Sequence, residues 1–276
     1  MPEAKRRRLD SAVEQNTMEP VSAPSPFLPT FESFRNELDE HHDRRERIVK
    51  ASHDITALSK KIVRALQAPL PAAVAKEIEP RTKTINELFT NVAPDLRGID
   101  AWRYQRQISG GIQEFIEAIS FRHYLQTQRL ITMDEAQAEI PGGVELTADD
   151  YLLGLFDLVG ELMRFAVTNM ATTGALPRGS PEEVDGGGQG RDILTDLRYI
   201  RTHFEALDTS SSGVPGSFSG LKKDAGKKMG VMKTCVEKVE KAVYEMIVRG
   251  RERPKGWMPG GTEDRAGIPR EVVESF

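Results

Sequence analysis

Cysteine and long apolar runs are what this sequence most lacks. Cys235 is the one cysteine among 276 residues, which excludes a disulfide framework or a multi-cysteine zinc site and fits a reducing compartment. The longest apolar run, near Tyr151, is broken at Asp157, far short of the roughly 20 residues that cross a bilayer. The first ten residues lack the apolar core of a secretory signal. We therefore expect no membrane partner and a location in the cytoplasm and nucleus.

An excess of positive charge is also missing. The 38 Lys and Arg face 42 Asp and Glu, a net charge of −4, so the protein does not coat nucleic acid through bulk charge. Local patches remain, and for each of them composition leaves open both phosphate binding and a solvated, locally paired surface. These patches are the cluster Lys5–Arg8, the arginines Arg103, Arg106 and Arg122 of one predicted helix, and the basic segment 222–255.

No segment shows the period-two alternation of β-strands, whereas helical periodicity recurs along the chain. In the first helix, Ile48, Ile55 and Ile62 are seven residues apart and predict a coiled-coil-like seam. We expect an all-α protein of about seven helices, the last of them stopped at Gly250. They are predicted to begin near Thr30, Val74, Ile99, Thr132, Thr147, Asp192 and Leu221.

The helices define one predicted domain, residues 30–255. Before it, residues 1–29 are rich in proline and polar residues and predict a disordered tail that carries the basic cluster. After it, residues 256–276 form an irregular tail. Inside the domain, Gly110-Gly111 interrupts the third helix, which predicts either a kink or a close approach of another backbone.

Four carboxylates lie in apolar helices, where a charge is costly unless it is paired or bound to a cation. Glu114 and Glu117 are three residues apart, and Asp157 and Glu161 are four apart. Each pair therefore lies on one face of its helix. If the two helices face each other, four carboxylates converge.

Convergent carboxylates suit Mg²⁺ or Mn²⁺ rather than zinc. Such an ion can activate water and stabilise a phosphoryl group under attack, which is the chemistry of phosphodiester hydrolysis. A structural alternative stays open on spacing alone. In it Glu161 pairs with Arg164, Asp157 caps a neighbouring helix, and Glu114 and Glu117 line a solvated face.

Two long motifs resemble translin-associated factor X of the translin family. They are GGIQEFIEAISF at residues 110–121, followed by LITMDE at 130–135, and DYLLGLFDLVGELMR at 150–164. The segment HDIT at 53–56 and residues 244–250 also match. The resemblance covers roughly residues 30 to 255, and the Gly-rich linker after Thr172 and the C-terminal tail depart from it.

The resemblance implies a seven-helix subunit that assembles with translin into a closed hetero-oligomeric barrel, usually an octamer. It further implies a Mg²⁺-dependent endoribonuclease that cleaves single-stranded RNA, either silencing passenger-strand fragments or transfer-RNA leader fragments. The family's catalytic acidic positions fall on Glu114, Glu117, Asp157 and Glu161, which would also hold the metal. Apart from the resemblance, we expect Arg103, Arg106 and Arg122 to bind RNA, because they lie on the same predicted helix as Glu114 and Glu117. The alternative is a non-catalytic partner of translin that modulates nucleic-acid binding and localisation.

Overall fold

The computed structural model describes residues 25–67, 71–177, 191–207 and 219–252. Four sequence predictions lie wholly or mostly outside this part of the chain: the disordered tail 1–29, its basic cluster Lys5–Arg8, the Gly-rich linker and the tail 256–276. The chain divides into two units, residues 1–45 and 46–276. The predicted domain limits at residues 30 and 255 stay predictions.

All seven predicted helices are present, and the described residues form no β-strand. The prediction of an all-α protein is therefore confirmed. The helices are α1 (Leu28–Leu66), α2 (Pro71–Val92), α3 (Ile99–Thr127), α4 (Met133–Ala138), α5 (Ala148–Thr173), α6 (Ile193–Ala206) and α7 (Ser219–Glu252).

Helix ends differ from the predictions in two places. The apolar positions of α3 predict a helix that continues to about Ile131. It ends instead at Thr127, because Gln128 adopts a left-handed conformation with φ of 54° and its N–H donates to the carbonyl of Tyr124. Helix α7 passes through Gly250 to Glu252, so the predicted stop at that glycine is wrong. A glycine inside a helix costs only about 1 kcal/mol, which does not suffice to end one.

In the first unit, the apolar residues Phe31, Phe34 and Leu38 have helical spacing in the sequence, but they are exposed. The rings of Phe31 and Phe34 pack edge to face at 6.3 Å. Arg44 pairs with Glu40 one turn earlier on the same helix.

In the second unit, the seam of α1 is buried as predicted, with Ile48, Ile55 and Ile62 in the core. Helix α5 packs against both α3 and α7, and α6 packs against α7. Aromatic contacts tie further elements to this core, since the rings of Phe89 and Phe115 lie 5.4 Å apart. Across the described ranges, none of the helices has an apolar stretch that would serve as a membrane span.

The double glycine marks a close approach between α1 and α3, one of its two predicted outcomes. A Cβ atom on Gly111 would lie 2.9 Å from the carbonyl oxygen of Ser52. The Ser52 hydroxyl accepts a hydrogen bond of 3.0 Å from the N–H of Gly111. A Cβ on Gly110, in contrast, would meet nothing within 4 Å. Only the second glycine is therefore required by packing.

Replacing Gly111 by alanine should destabilise the protein by about 1–3 kcal/mol, because the new methyl group forces two helix backbones apart. The Gly110→Ala variant is the matched control. It should be stabilised by about 0.5–1 kcal/mol, since alanine is the better helix former and has room there. Urea unfolding midpoints measure both. Equal effects of the two substitutions would contradict the close approach.

Candidate functional site

Helices α3 and α5 approach closely where they carry the candidate carboxylates. A Cβ atom on Gly154 would lie 2.7 Å from Cγ2 of Ile116 and 2.9 Å from the carbonyl oxygen of Gln113. Ile116 directly precedes Glu117, and Gly154 lies one turn before Asp157. The absence of a side chain at residue 154 therefore lets the two acidic helix faces meet.

A buried carboxylate, Asp150, fixes the same pair of helices. It accepts hydrogen bonds from Gln105 at 2.7 Å, from Gln113 at 2.9 Å and from Ser109, all on α3. It also accepts one of 2.9 Å from Thr147, whose own hydroxyl caps α5. Sequence reasoning treated Asp150 only as part of a motif. Its position three residues after a helix cap was the available signal that it could serve a structural role.

The structure places all four predicted carboxylates around one cavity of about 570 Å³ in the second unit. Glu114 and Glu117 come from α3, and Asp157 and Glu161 come from α5. Residues of α1 and α7 also line the cavity. Its complete lining is Lys60, Val63, Arg64, Gln67, Glu114, Glu117, Phe156, Asp157, Gly160, Glu161, Arg164, Val231, Met232 and Cys235.

Two of the four carboxylates pair with cationic side chains from other helices. Lys60 of α1 lies 3.0 Å from Oε1 of Glu114. Lys228 of α7 pairs with Asp157 and also donates to the carbonyl of Leu153 at 3.2 Å. The sequence analysis did not single out Lys60, and it included Lys228 only as a member of the basic segment 222–255. Nothing in the sequence shows which of many surface lysines faces this cavity.

Glu161 is held by two donors. Arg164 lies 2.8 Å from its Oε1 atom, as the structural alternative predicted. The amide of Gln67 donates to its Oε2 atom at 3.1 Å and to its backbone carbonyl at 3.0 Å. The other parts of that alternative are wrong, since Asp157 binds Lys228 rather than a helix end and Glu117 is buried.

The pKa of Glu117 is strongly raised. Burial raises its pKa most, and the charges of Glu114, Glu161 and Asp157 raise it further, to about 8. A hydrogen bond joins Glu117 to Glu114. The Glu117 carboxyl group therefore holds a proton at neutral pH, because ionising it would add another buried charge to an acidic cluster.

One wall of the cavity is apolar. It contains Phe156, Val231, Met232 and Cys235, and the ring of Phe156 packs on Phe204 at 4.1 Å. Burial raises the pKa of the Cys235 thiol, as expected for an unreactive core cysteine.

The carboxylates fit a divalent cation such as Mg²⁺ in chemistry, because they offer hard oxygen ligands and Glu117 is buried against like charges. Among the residues that the structure describes, no three His, Cys, Asp or Glu side chains are placed to hold a metal ion. Ligation would therefore need side chains such as Glu114 and Asp157 to turn away from their lysines.

The three arginines predicted to bind RNA do not line this cavity. Arg103 and Arg106 are exposed near the start of α3, and Arg103 lies 3.4 Å from Asp100. Arg122 pairs with Glu139 at 3.1 Å. Their role in RNA binding stays a prediction. The cations that do surround the cavity are Lys60, Arg64, Arg164 and Lys228.

The raised pKa of Glu117 predicts that the free energy of unfolding falls as pH increases from about 4.5 to about 8. In that window the folded protein keeps a proton that the unfolded chain has lost, so each pH unit lowers the free energy by up to about 1.4 kcal/mol. The stabilisation that the raised pKa of Glu117 provides is complete below this pH window and is lost above it.

Urea titrations in EDTA between pH 5 and 9 measure this dependence. Glu117→Gln should flatten it and should be more stable than the wild type at pH 9. Glu145→Gln, which removes an exposed carboxylate, should follow the wild type. An unchanged slope in Glu117→Gln would refute the assignment.

Comparisons with known proteins place the chain in a family. A family model for the translin family matches residues 43–250. Translin-associated protein X of Rattus norvegicus is 31% identical over 263 residues, covering 85% of this chain and 83% of that protein. Human translin is 26% identical over 234 residues, covering 80% and 92%.

Among solved structures, that of AfC3PO in complex with duplex RNA has a TM-score of 0.54 at 20% identity. It covers 81% of this chain and 100% of that one, so the two share a fold. The family model and the identity to translin-associated protein X agree, and the chain belongs to the translin family.

Proposed function

We propose that this chain is the catalytic subunit of a complex with translin, a Mg²⁺-dependent endoribonuclease that cleaves single-stranded RNA. One observation carries the proposal: two helices place Glu114, Glu117, Asp157 and Glu161 around one cavity with cations close by. Buried carboxylates destabilise a fold unless they are neutralised. We therefore expect a cluster of four carboxylates where it has a catalytic role.

Partnership with translin is supported by similarity to proteins that are named for that association. The chain is 31% identical to translin-associated protein X of Rattus norvegicus, against 26% for human translin. Ile99 and Trp102 at the start of α3 are both more than 70% exposed, and exposed apolar side chains of this kind are typical of surfaces that a partner covers. The proposed assembly is a closed barrel, an octamer.

In the proposed reaction the four carboxylates hold Mg²⁺, or Mn²⁺ in its place. The ion supplies charge neutralisation at the phosphate and an activated water molecule. Lys60 and Arg164 lie beside the carboxylates and attract the phosphate backbone. Asp150, which binds three side chains of α3, keeps the two acidic helix faces aligned and does not enter the chemistry.

The second candidate function is that of a non-catalytic partner that modulates the nucleic-acid binding of translin. The ion pairs of Glu114, Asp157 and Glu161 favour it, because they neutralise the carboxylates without a metal. This partner would retain RNA and yield no products that depend on a divalent cation.

Glu117→Gln should lower the cleavage rate at least about 100-fold, since a neutral amide replaces a carboxyl group that would lose its proton and become an anionic ligand when the metal binds. The substitution keeps the shape of the side chain, so assembly with translin and RNA affinity should be unchanged. The assay is cleavage of a fluorescent single-stranded RNA by the chain co-expressed with translin, in Mg²⁺ and in EDTA.

Glu145→Gln is the control, because Glu145 is exposed and lies outside the cavity. Size-exclusion chromatography reports assembly of every variant. If the wild-type complex binds the RNA but does not cleave it in Mg²⁺, this chain is the non-catalytic partner of translin instead. Loss of assembly in Glu117→Gln would assign Glu117 a structural role.

We also propose that the complex occurs in both cytoplasm and nucleus, with the cluster Lys5–Arg8 as the import signal. Basic runs of this kind are recognised by import receptors or attract phosphates. Replacing the four residues by alanine should shift a fluorescent fusion of the full chain to the cytoplasm without altering cleavage in vitro. An unchanged distribution would leave import to a partner.

A further inference from the structure

Arg64 stands out among the cations around the cavity. It lies in the last turn of α1, is exposed and lines the cavity. Lys60, Arg164 and Lys228 each pair with one of the carboxylates. Within the described ranges of the chain, no carboxylate lies within ion-pair distance of Arg64. Its guanidinium group is thus available to an anion from solution.

The position of Arg64 relates it to the candidate chemistry. Lys60 lies one turn earlier on the same helix and reaches Glu114, and the helical rise places the two residues about 6 Å apart along the axis. Gln67, the next polar residue of that face, is engaged by Glu161. Arg64 is therefore the one residue of α1 that both borders the carboxylates and keeps its donors unused.

A guanidinium group presents a planar fork of donors that matches two oxygens of a phosphate. Three of the four cations around the cavity, Lys60, Arg164 and Lys228, are each paired with a carboxylate. Arg64 is the fourth, and its positive charge is available to an incoming anion. A polyanionic strand is the ligand that supplies several phosphates at neighbouring positions.

We propose that Arg64 binds a backbone phosphate of the RNA strand next to the one held at the carboxylates, and so sets the affinity of the site for its substrate. This inference rests on the proposed function, which identifies the bound strand as RNA. In that function Arg64 is a substrate-binding residue.

A structural role for Arg64 predicts a different result. A cation in the last turn of a helix also interacts favourably with the helix dipole, and its loss would lower stability without a specific effect on RNA. The experiment must therefore separate stability from RNA affinity. Lys61 offers a matched control, because it is the adjacent residue of α1, is exposed, and does not line the cavity.

The experiment compares Arg64→Ala, Arg64→Lys and Lys61→Ala in complexes with translin. Affinity for a short single-stranded oligoribonucleotide is measured in EDTA at several salt concentrations, which needs no nuclease activity. KM and kcat for cleavage are measured in Mg²⁺. Thermal unfolding and size-exclusion chromatography report stability and assembly.

Arg64→Ala should weaken RNA binding and raise KM about three- to tenfold, because the site loses one exposed, charge-assisted hydrogen bond. The value of kcat should be nearly unchanged. The slope of log affinity against log salt should become shallower by about 0.7, the value for one phosphate contact with a single strand. Arg64→Lys should keep the wild-type slope with a smaller loss of affinity. Lys61→Ala should behave as the wild type.

Equal losses in Arg64→Ala and Lys61→Ala would overturn the proposal, because the effect would then be one of general charge. Unchanged affinity and KM, or an effect confined to stability, kcat or assembly, would also overturn it. A wild-type complex that binds RNA through Arg64 but does not cleave it would refute the proposed nuclease and leave this inference intact.

Discussion

The close approach of α3 and α5 is the constraint on which the site depends. At Gly154 the two backbones are so near that a Cβ atom would overlap Ile116. Glu114 and Glu117 flank Ile116 on α3, and Asp157 follows Gly154 by one turn on α5. This proximity therefore brings the two acidic pairs to one cavity. A larger residue at 154 would separate the helices and disperse the carboxylates, so the chemistry of the site is coupled to the size of one side chain.

Buried polar groups keep this arrangement specific. Asp150 satisfies its acceptors with side chains from α3 and with the cap of α5. The donors to Asp150 are neutral amides and hydroxyls, whereas the donors to the carboxylates of the cavity are mostly cations. One buried carboxylate thus aligns the helices, and four others on the same helices face a cavity open to ligands.

The ion pairs around the cavity explain how a cluster of like charges is compatible with a stable fold. Lys60, Lys228 and Arg164 come from three different helices and each neutralises one carboxylate. Among the described residues, Glu117 has no such cationic partner, and it keeps a proton instead. Both solutions are reversible, since a divalent cation can compete with a lysine or with a proton for the same oxygens. The fold thereby tolerates the acidic cluster in a form that is compatible with the proposed binding of a divalent cation.

The helices and the pairing of the acidic residues could be predicted from the sequence, because both follow from local spacing. Periodicity located the seam of Ile48, Ile55 and Ile62, and the spacing of Glu114 and Glu117 put them on one face. Helix ends were less predictable. The left-handed Gln128 and the continuation of α7 through Gly250 depend on energies of about 1 kcal/mol, which spacing does not resolve.

By itself the sequence determined the all-α class, the acidic residues worth considering and the family they resemble. The tertiary structure alone decided that these residues share a cavity, that Lys60 and Lys228 neutralise two of them, and that Arg103 and Arg106 lie elsewhere. Local spacing orients side chains on one helix, but which helices meet depends on packing between residues far apart in the chain. Gly154 against Ile116 is that contact here.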